Sequence, residues 1–319
     1  MSPLLDYIIS SIVIGMTFLY GCIGEILTEK AGHLNLGIPG IMCIGGASGC
    51  VALSLFYETG VPAFIIVIVA LIATFIGGMA MGVIYCFLTV TLKANQNVTG
   101  LAMTTFGVGC MKFIMSSMSG YDSIKYLYAL DYFRFPFAES TTALKYCGVM
   151  VLLAIVIALL SSFVLAHTRV GLHLRAVGEN PATADAAGIN VNLYKYCATC
   201  IGSGIAALGG IFYIMDFAGS NESYKSIEAL GWLAVALVIF AMWKPHISVI
   251  GSVVFGLLYL AGTRIPTLLG INLSMSATPL LQMLPYLVPI IVLIVTSVRN
   301  KKENQPPASL GLPYFREER

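Results

Sequence analysis

Nine apolar runs partition this sequence, at 7–27, 38–56, 61–92, 98–119, 145–166, 196–215, 229–243, 247–262 and 280–298. A helix needs about 20 residues to cross a hydrocarbon layer of about 30 Å. Inside lipid every backbone N–H and C=O must pair within the spanning element, so runs of this length read as helices. Charged residues make up only 10% of the chain, against about 25% in soluble domains. Too little polar surface is left to cover a water-soluble core. The fold class expected is therefore all-α and polytopic, a bundle of about nine transmembrane helices over 1–299 with a tail at 300–319.

The third run outreaches the hydrocarbon layer and is expected to tilt or bend, with Gly77-Gly78 as the weak point. The seventh and eighth runs are short and meet at Lys244-Pro245-His246, which predicts a tight helical hairpin. Small residues recur at helix-packing spacing: Gly45 with Gly49, Gly78 with Gly82, Ser252 with Gly256, and Gly202, Ala206 and Gly210 in series. They let backbones approach where no hydrophobic force drives helix from lipid.

Several classes are excluded. A net charge of +2 without a basic, aromatic-laced patch argues against nucleic-acid binding. The N-terminal MSPLLDYIIS lacks the cationic region of a cleavable signal peptide. Most cysteines stand singly, and Cys197 with Cys200 reads as helix packing rather than metal or redox chemistry. There is no G-x-x-x-x-G-K-[ST], H-E-x-x-H or G-x-S-x-G. The chain is expected not to be an enzyme and to need no metal or cofactor, and any energy it uses must come from elsewhere.

The longest polar interval with several cations is 167–195, HTRVGLHLRAVGENPATADAAGINVNLYK. It reads as a loop holding one short helix at 180–187, with Asn180 as N-cap, Pro181 at the first helical position and Gly188 as the stop. Two turns are marginal alone, so something must hold them. Either this is a docking helix on which a cytoplasmic partner pushes, or it is an ordinary connection. If it is cytoplasmic, the inner side receives Lys30, Lys93, Arg169, Arg175, Lys195, Lys244, Arg299, Lys301, Lys302, Arg316 and Arg319. The outer side receives only Lys125, Arg134, Lys145, Lys225 and Arg264. The cation bias places the N-terminus outside and the C-terminus in the cytoplasm.

Polar groups at span ends mark candidate sites. In GEILTEKAGHLNLGIPG, Glu29 with Lys30 reads as a solvated turn. Gly32, Gly37, Pro39 and Gly40 break any helix there, which makes Asn35 a pathway candidate. In Asn95-Gln96-Asn97, with Thr99, Thr104 and Thr105 beyond, Asn97 reads as a helix N-cap. The amides and hydroxyls running into that span also suit an uncharged, hydrogen-bonding solute. The aromatic stretch 120–142 reads as an interfacial belt or a receiver for a delivery protein, and Asp216, Glu222 and Glu228 as an acidic outer loop. Carboxylates fall at span ends and in loops, Glu25 being the one ambiguous case, which argues against an ion-coupled carrier.

The segments GHLNLGIPGIMCIGGASG, KANQNVTGLAMTTFGVG, GLHLRAVGENPATADAAGINVNLYK, GWLAVALVIFAMWKP and PPASLGLPYFREER together resemble permease subunits of ATP-binding-cassette importers. They are most similar to the nucleoside and simple-sugar branch, related to ribose and branched-chain amino-acid permeases. The resemblance implies a type II importer fold in a bacterial inner membrane. It implies a coupling segment at Arg175, Gly178, Glu179, Asn180, Pro181, Ala184 and Gly188, and a substrate pathway at Asn35, Gly37, Asn97 and Thr104. Pro39 departs from the acidic residue of nucleoside-type relatives, so no polar role is expected there. The implied partners are an ATPase subunit, a homologous permease subunit in a heterodimer, an extracytoplasmic substrate-binding protein and membrane lipid. The rivals are a branched-chain amino-acid permease and an ion-coupled carrier acting alone.

Overall fold

The computed structural model describes residues 3–56, 59–118, 148–218, 221–269, 281, 283–299 and 305–315. The aromatic stretch 120–142 lies outside them. The nine apolar runs become helices α1 (Pro3–Lys30), α2 (Ile38–Phe56), α3 (Ala63–Cys86), α4 (Gln96–Ser117), α5 (Val149–His167), α8 (Val191–Phe212), α9 (Ile227–Phe240), α10 (Pro245–Leu269) and α11 (Leu284–Arg299). Two further helices, α6 (Arg169–Glu179) and α7 (Pro181–Ala186), lie between α5 and α8. Among the described residues, eight helical stretches are long and apolar enough to cross a membrane, with a shorter apolar helix at α11. The all-α expectation holds among the described residues.

Three helices form the centre. α1, α2 and α8 are buried along most of their lengths, α3, α4, α5, α9 and α10 pack around them, and α11 packs on α9 and α10. Small residues set how closely the central helices approach. A Cβ on Gly24 would strike the Gly202 carbonyl, and one on Gly202 would strike the Gly24 carbonyl. Gly210 faces the Met42 carbonyl, Gly45 and Gly78 face Ala207, and Gly15 and Gly256 close the α1–α10 seam against Ser252 and Ser11. Each small-residue series named from the sequence therefore sits at a real backbone approach, the packing available to helices in lipid.

The structure corrects four local expectations. α3 runs unbroken through Gly77-Gly78, because both glycines are helix contacts, against Ser48 and against Ala207 with Ser203. The irregular stretch is a π-helical turn at Phe87–Thr91. The eighth run is no short helix: Pro245 opens a 25-residue α10. The turn before it is tight as expected, with Met242 at φ 51 and Trp243 at φ 56, but α9 and α10 both lean on α1 more than on each other. Asn97 is not the N-cap of α4; Asn95 is, its side chain accepting from the Val98 N–H at 3.2 Å. Finally, 169–179 is a helix rather than loop. Its N-cap Thr168 accepts from the Gly171 N–H at 3.1 Å, and Gly171, Leu174, Val177 and Gly178 form its buried face.

Candidate functional site

The short helix forms as its sequence dictates. Asn180 closes α6 and caps α7, accepting from the Thr183 N–H at 3.0 Å, and Pro181 takes the first helical position. Gly188 at φ +83 ends it, with its N–H on the Asp185 carbonyl and the Ile189 N–H on the Ala184 carbonyl, both at 3.0 Å. Ala184 is buried against Val177 and Val191, with Ile189 and Tyr314 at the edge of the cluster. This small core holds two turns that could not persist alone. Of the coupling candidates, Arg175, Glu179, Asn180 and Gly188 are exposed and Pro181 is half-buried. Gly178 and Ala184 are buried: they seat the segment rather than present it. A Cβ on Gly178 would strike the Lys30 carbonyl, so α6 lies directly on the end of α1.

Beyond α1 the chain leaves helix for residues 31–37 while staying inside the bundle, and its backbone groups need partners there. Side chains from three helices supply them. The Asn35 N–H donates to Glu25 Oε1 at 3.0 Å, and the Leu34 N–H to Gln96 Oε1 at 2.8 Å. Tyr85 donates its hydroxyl to the Leu34 carbonyl at 2.6 Å, and Thr104 donates to the Leu36 carbonyl at 2.7 Å. Asn35 Oδ1 turns back to accept the Gly37 N–H at 3.0 Å. His33 Nδ1 lies 3.1 Å from Thr199 Oγ1, and burial, reinforced by nearby Lys195, holds its imidazole well below the usual histidine pKa, in the neutral form.

Asn35, Gly37 and Thr104 thus come together where α2 starts against α4; Asn97 stays apart, exposed on the first turn of α4. The helix break is 31–37 alone. Pro39 and Gly40 fall within the first turn of α2, where a missing N–H costs nothing. Pro39 packs on Gly231, and a Cβ on Gly40 would lie 2.6 Å from the Thr104 Cα. Glu29 is no solvated turn residue: it is buried and accepts from the Trp243 indole N–H. Glu29 and Asp216 do lie at the ends of their helical stretches, but they are buried there, as is Glu25 farther back on α1.

Two polar atoms at the join, Glu25 Oε2 and Asn35 Nδ2, are buried with no hydrogen-bond partner within the described chain. Such orphans point to a ligand, an ordered water or a changing conformation. Sequence reasoning passed over Gln96 as an individual, and also Tyr85 and Trp243. The legible signal was Glu25 and Glu29 one helical turn apart, on a helix that also carries Gly21, Gly24 and Thr28. Among the described residues no group of three or more His, Cys, Asp or Glu could hold a metal. Replacing Thr104 by Val removes its bond and leaves the Leu36 carbonyl unpaired, a cost of about 1–3 kcal/mol. The expected result is a lower thermal midpoint in detergent, with Thr104→Ser near the parent.

Comparison with known proteins completes the picture. Residues 7–296 match the family model described as branched-chain amino acid transport system / permease component. A putative glucose ABC transporter permease protein of Haloferax volcanii is 31% identical over 253 residues, 74% of this chain and 70% of that protein. A nucleoside ABC transporter permease protein of Lactococcus lactis is 30% identical over 301 residues, 91% of this chain and 92% of the relative. A guanosine ABC transporter permease protein of Bacillus subtilis is 28% identical over 338 aligned positions, 98% of each chain. Permease components of this family are non-catalytic, and the all-α bundle agrees with a type II importer permease fold. With the family model covering nearly the whole chain, the protein belongs to the branched-chain amino acid transport system permease family and is a membrane-embedded permease subunit of an ABC importer.

Proposed function

We propose that this permease carries nucleosides, or simple sugars related to them, inward across a bacterial cell membrane, with its N-terminus outside and C-terminus in the cytoplasm. The exposed positions of the 175–188 segment meet a separate ATPase subunit there. ATP-driven closure of the ATPase pair pushes on α7, and the bundle opens to one side at a time. A homologous permease subunit completes the pathway, and a substrate-binding protein delivers the solute from outside. The observation that carries the solute reading is the orphaned Asn35 amide beside Gly37 and Thr104, a buried hydrogen-bond donor suited to an uncharged polar molecule. The relatives named for nucleosides and guanosine, which align over almost their whole lengths, support the same choice.

A second reading has its own observation. Glu25 Oε2, also orphaned, would accept from the ammonium group of an amino acid. Competition separates the two. Reconstituted with its ATPase, companion permease and binding protein, the complex should take up labelled guanosine only with ATP. Unlabelled nucleosides should compete and leucine should not; competition by leucine alone would reverse the choice. A cysteine placed at exposed Thr183 should react with an impermeant thiol reagent in inside-out vesicles and stay unreacted in sealed cells.

A further inference from the structure

Residues 305–315 do not hang free. They cross beneath α6, the 31–37 turn and the start of α4, and they bond to all three. The Ser309 N–H donates to the Gly178 carbonyl at 3.0 Å, and the Ser309 hydroxyl donates to the same oxygen. The Ala308 N–H reaches Glu179 Oε2 at 3.4 Å. The Gly311 N–H donates to the Gly32 carbonyl at 3.3 Å, and Gln96 Nε2 donates to the Leu312 carbonyl at 3.4 Å. Gln96 also accepts from Leu34, so one amide ties this segment, the turn and α4 together. Tyr314 donates to Asp185 Oδ2 at 2.9 Å, and Lys93 Nζ lies 4.3 Å over the Phe315 ring.

The geometry is selective as well as dense. Gly32 at φ +82 and Gly311 at φ +78 are both in the left-handed region, where glycine alone is unstrained. A Cβ on Gly32 would lie 2.8 Å from Ser309 Oγ. Beside Tyr314 a cleft of about 340 Å³, lined by Lys93, Asp185, Gly188, Asn190 and Tyr314, separates the segment from the turn after α7. At α7 the segment therefore holds on through the Tyr314 ring edge and its hydroxyl, and next to them is open space.

We propose that residues 305–315 are a coupling strap, with Ser309 and Tyr314 as positioning residues that carry displacement of α7 to the 31–37 turn and the start of α4. This rests on the reading of α7 as the ATPase contact. Without the strap, α7 still reaches the 31–37 turn through α6 on the end of α1 and through α8, where Thr199 meets His33, but it loses the direct path by way of Tyr314 and Leu312 to Gln96 at the start of α4. Less of the displacement of α7 would then arrive at the start of α4, and ATP would be hydrolysed with less solute moved.

The measurement is solute transported per ATP hydrolysed by the reconstituted complex, compared for the parent, Tyr314→Phe, Ser309→Ala, a deletion of 305–319, and Ala184→Glu. Residues along a coupling route change it by about 0.5–2 kcal/mol, or about 2- to 30-fold. Tyr314→Phe is expected to lower the ratio about threefold and the deletion at least about tenfold, with ATPase subunit bound at the parent level. Tyr314→Phe combined with Asp185→Asn should be no worse than the more damaging single change. An unchanged ratio in both Tyr314→Phe and the deletion overturns the strap. So does a loss of assembled complex with a normal ratio, since that outcome makes the segment scaffolding only. Normal uptake by Ala184→Glu would instead overturn the docking role of α7, so the two failures are distinguishable.

Discussion

Ala184→Glu is expected to abolish ATP-coupled uptake while the protein stays in the membrane. Ala184 sits in a core of only three buried side chains, with Val177 and Val191, and is 2% exposed. A carboxylate there has to leave water without a partner or swing out and carry α7 with it. An unpaired buried charge costs several kcal/mol, more than two helical turns can absorb. The damage stays local, because the one spanning helix that reaches this cluster, α8, does so only through its first turn, at Val191 and Tyr194. Gly188→Pro reaches the same end from the backbone: proline is locked near φ −65°, whereas Gly188 holds φ +83 and donates its N–H to Asp185. Gly188→Ala is the graded control. A Cβ there meets nothing within 4 Å, leaving only the left-handed strain of about 1–2 kcal/mol. Uptake assays beside membrane-fraction blots read all three; strong uptake by both Ala184→Glu and Gly188→Pro would falsify the docking role.

Gly202→Val should instead remove the folded protein. Its Cβ would meet the Gly24 carbonyl and lie 2.7 Å from Thr28 Oγ1, and a branched side chain adds two more atoms to the clash. Overpacking ordinarily costs about 1–3 kcal/mol through shifted rotamers. Here the opposing atoms are backbone of a helix pinned on its other sides by α9 and α10, so relief requires moving a whole helix. The expected outcome is near-complete loss of monodisperse protein on size exclusion in detergent. Gly109→Val is the matched control, since a Cβ at Gly109 meets nothing within 4 Å. Equal yields of the two variants would contradict the close α1–α8 approach.

Much of this architecture was legible because lipid leaves the chain few choices. Runs of apolar residues have to be helices, and small residues at i, i+4 have to be where helices meet. The Asn180-Pro181…Gly188 punctuation was legible for the same local reason, since each residue acts on its own turn. Helix α6 was hidden because its apolar positions 171, 174, 177 and 178 include two glycines, and its charges resemble loop composition. Glu29 was misread as part of a solvated turn because its neighbour in sequence, Lys30, is charged, whereas its partner is Trp243 in the turn between α9 and α10. The polar join was only half visible. Asn35, Gly37 and Thr104 stood out by type, but Gln96 and Tyr85 matter through contacts that only the folded chain creates.

The glycine seams have a mechanical consequence. Where Gly24 meets Gly202 and Gly210 meets Met42, peptide groups touch with no side chain between them to bend or change rotamer. Such a joint has no compliance, so α1, α2 and α8 can only travel together, as a keel. The same backbone contacts hold α3 at Gly78, α4 at Gly40 and α10 at Gly15 to this keel, so opening and closing must be taken up by helices that meet it without such a seam, as α5 does among the described residues.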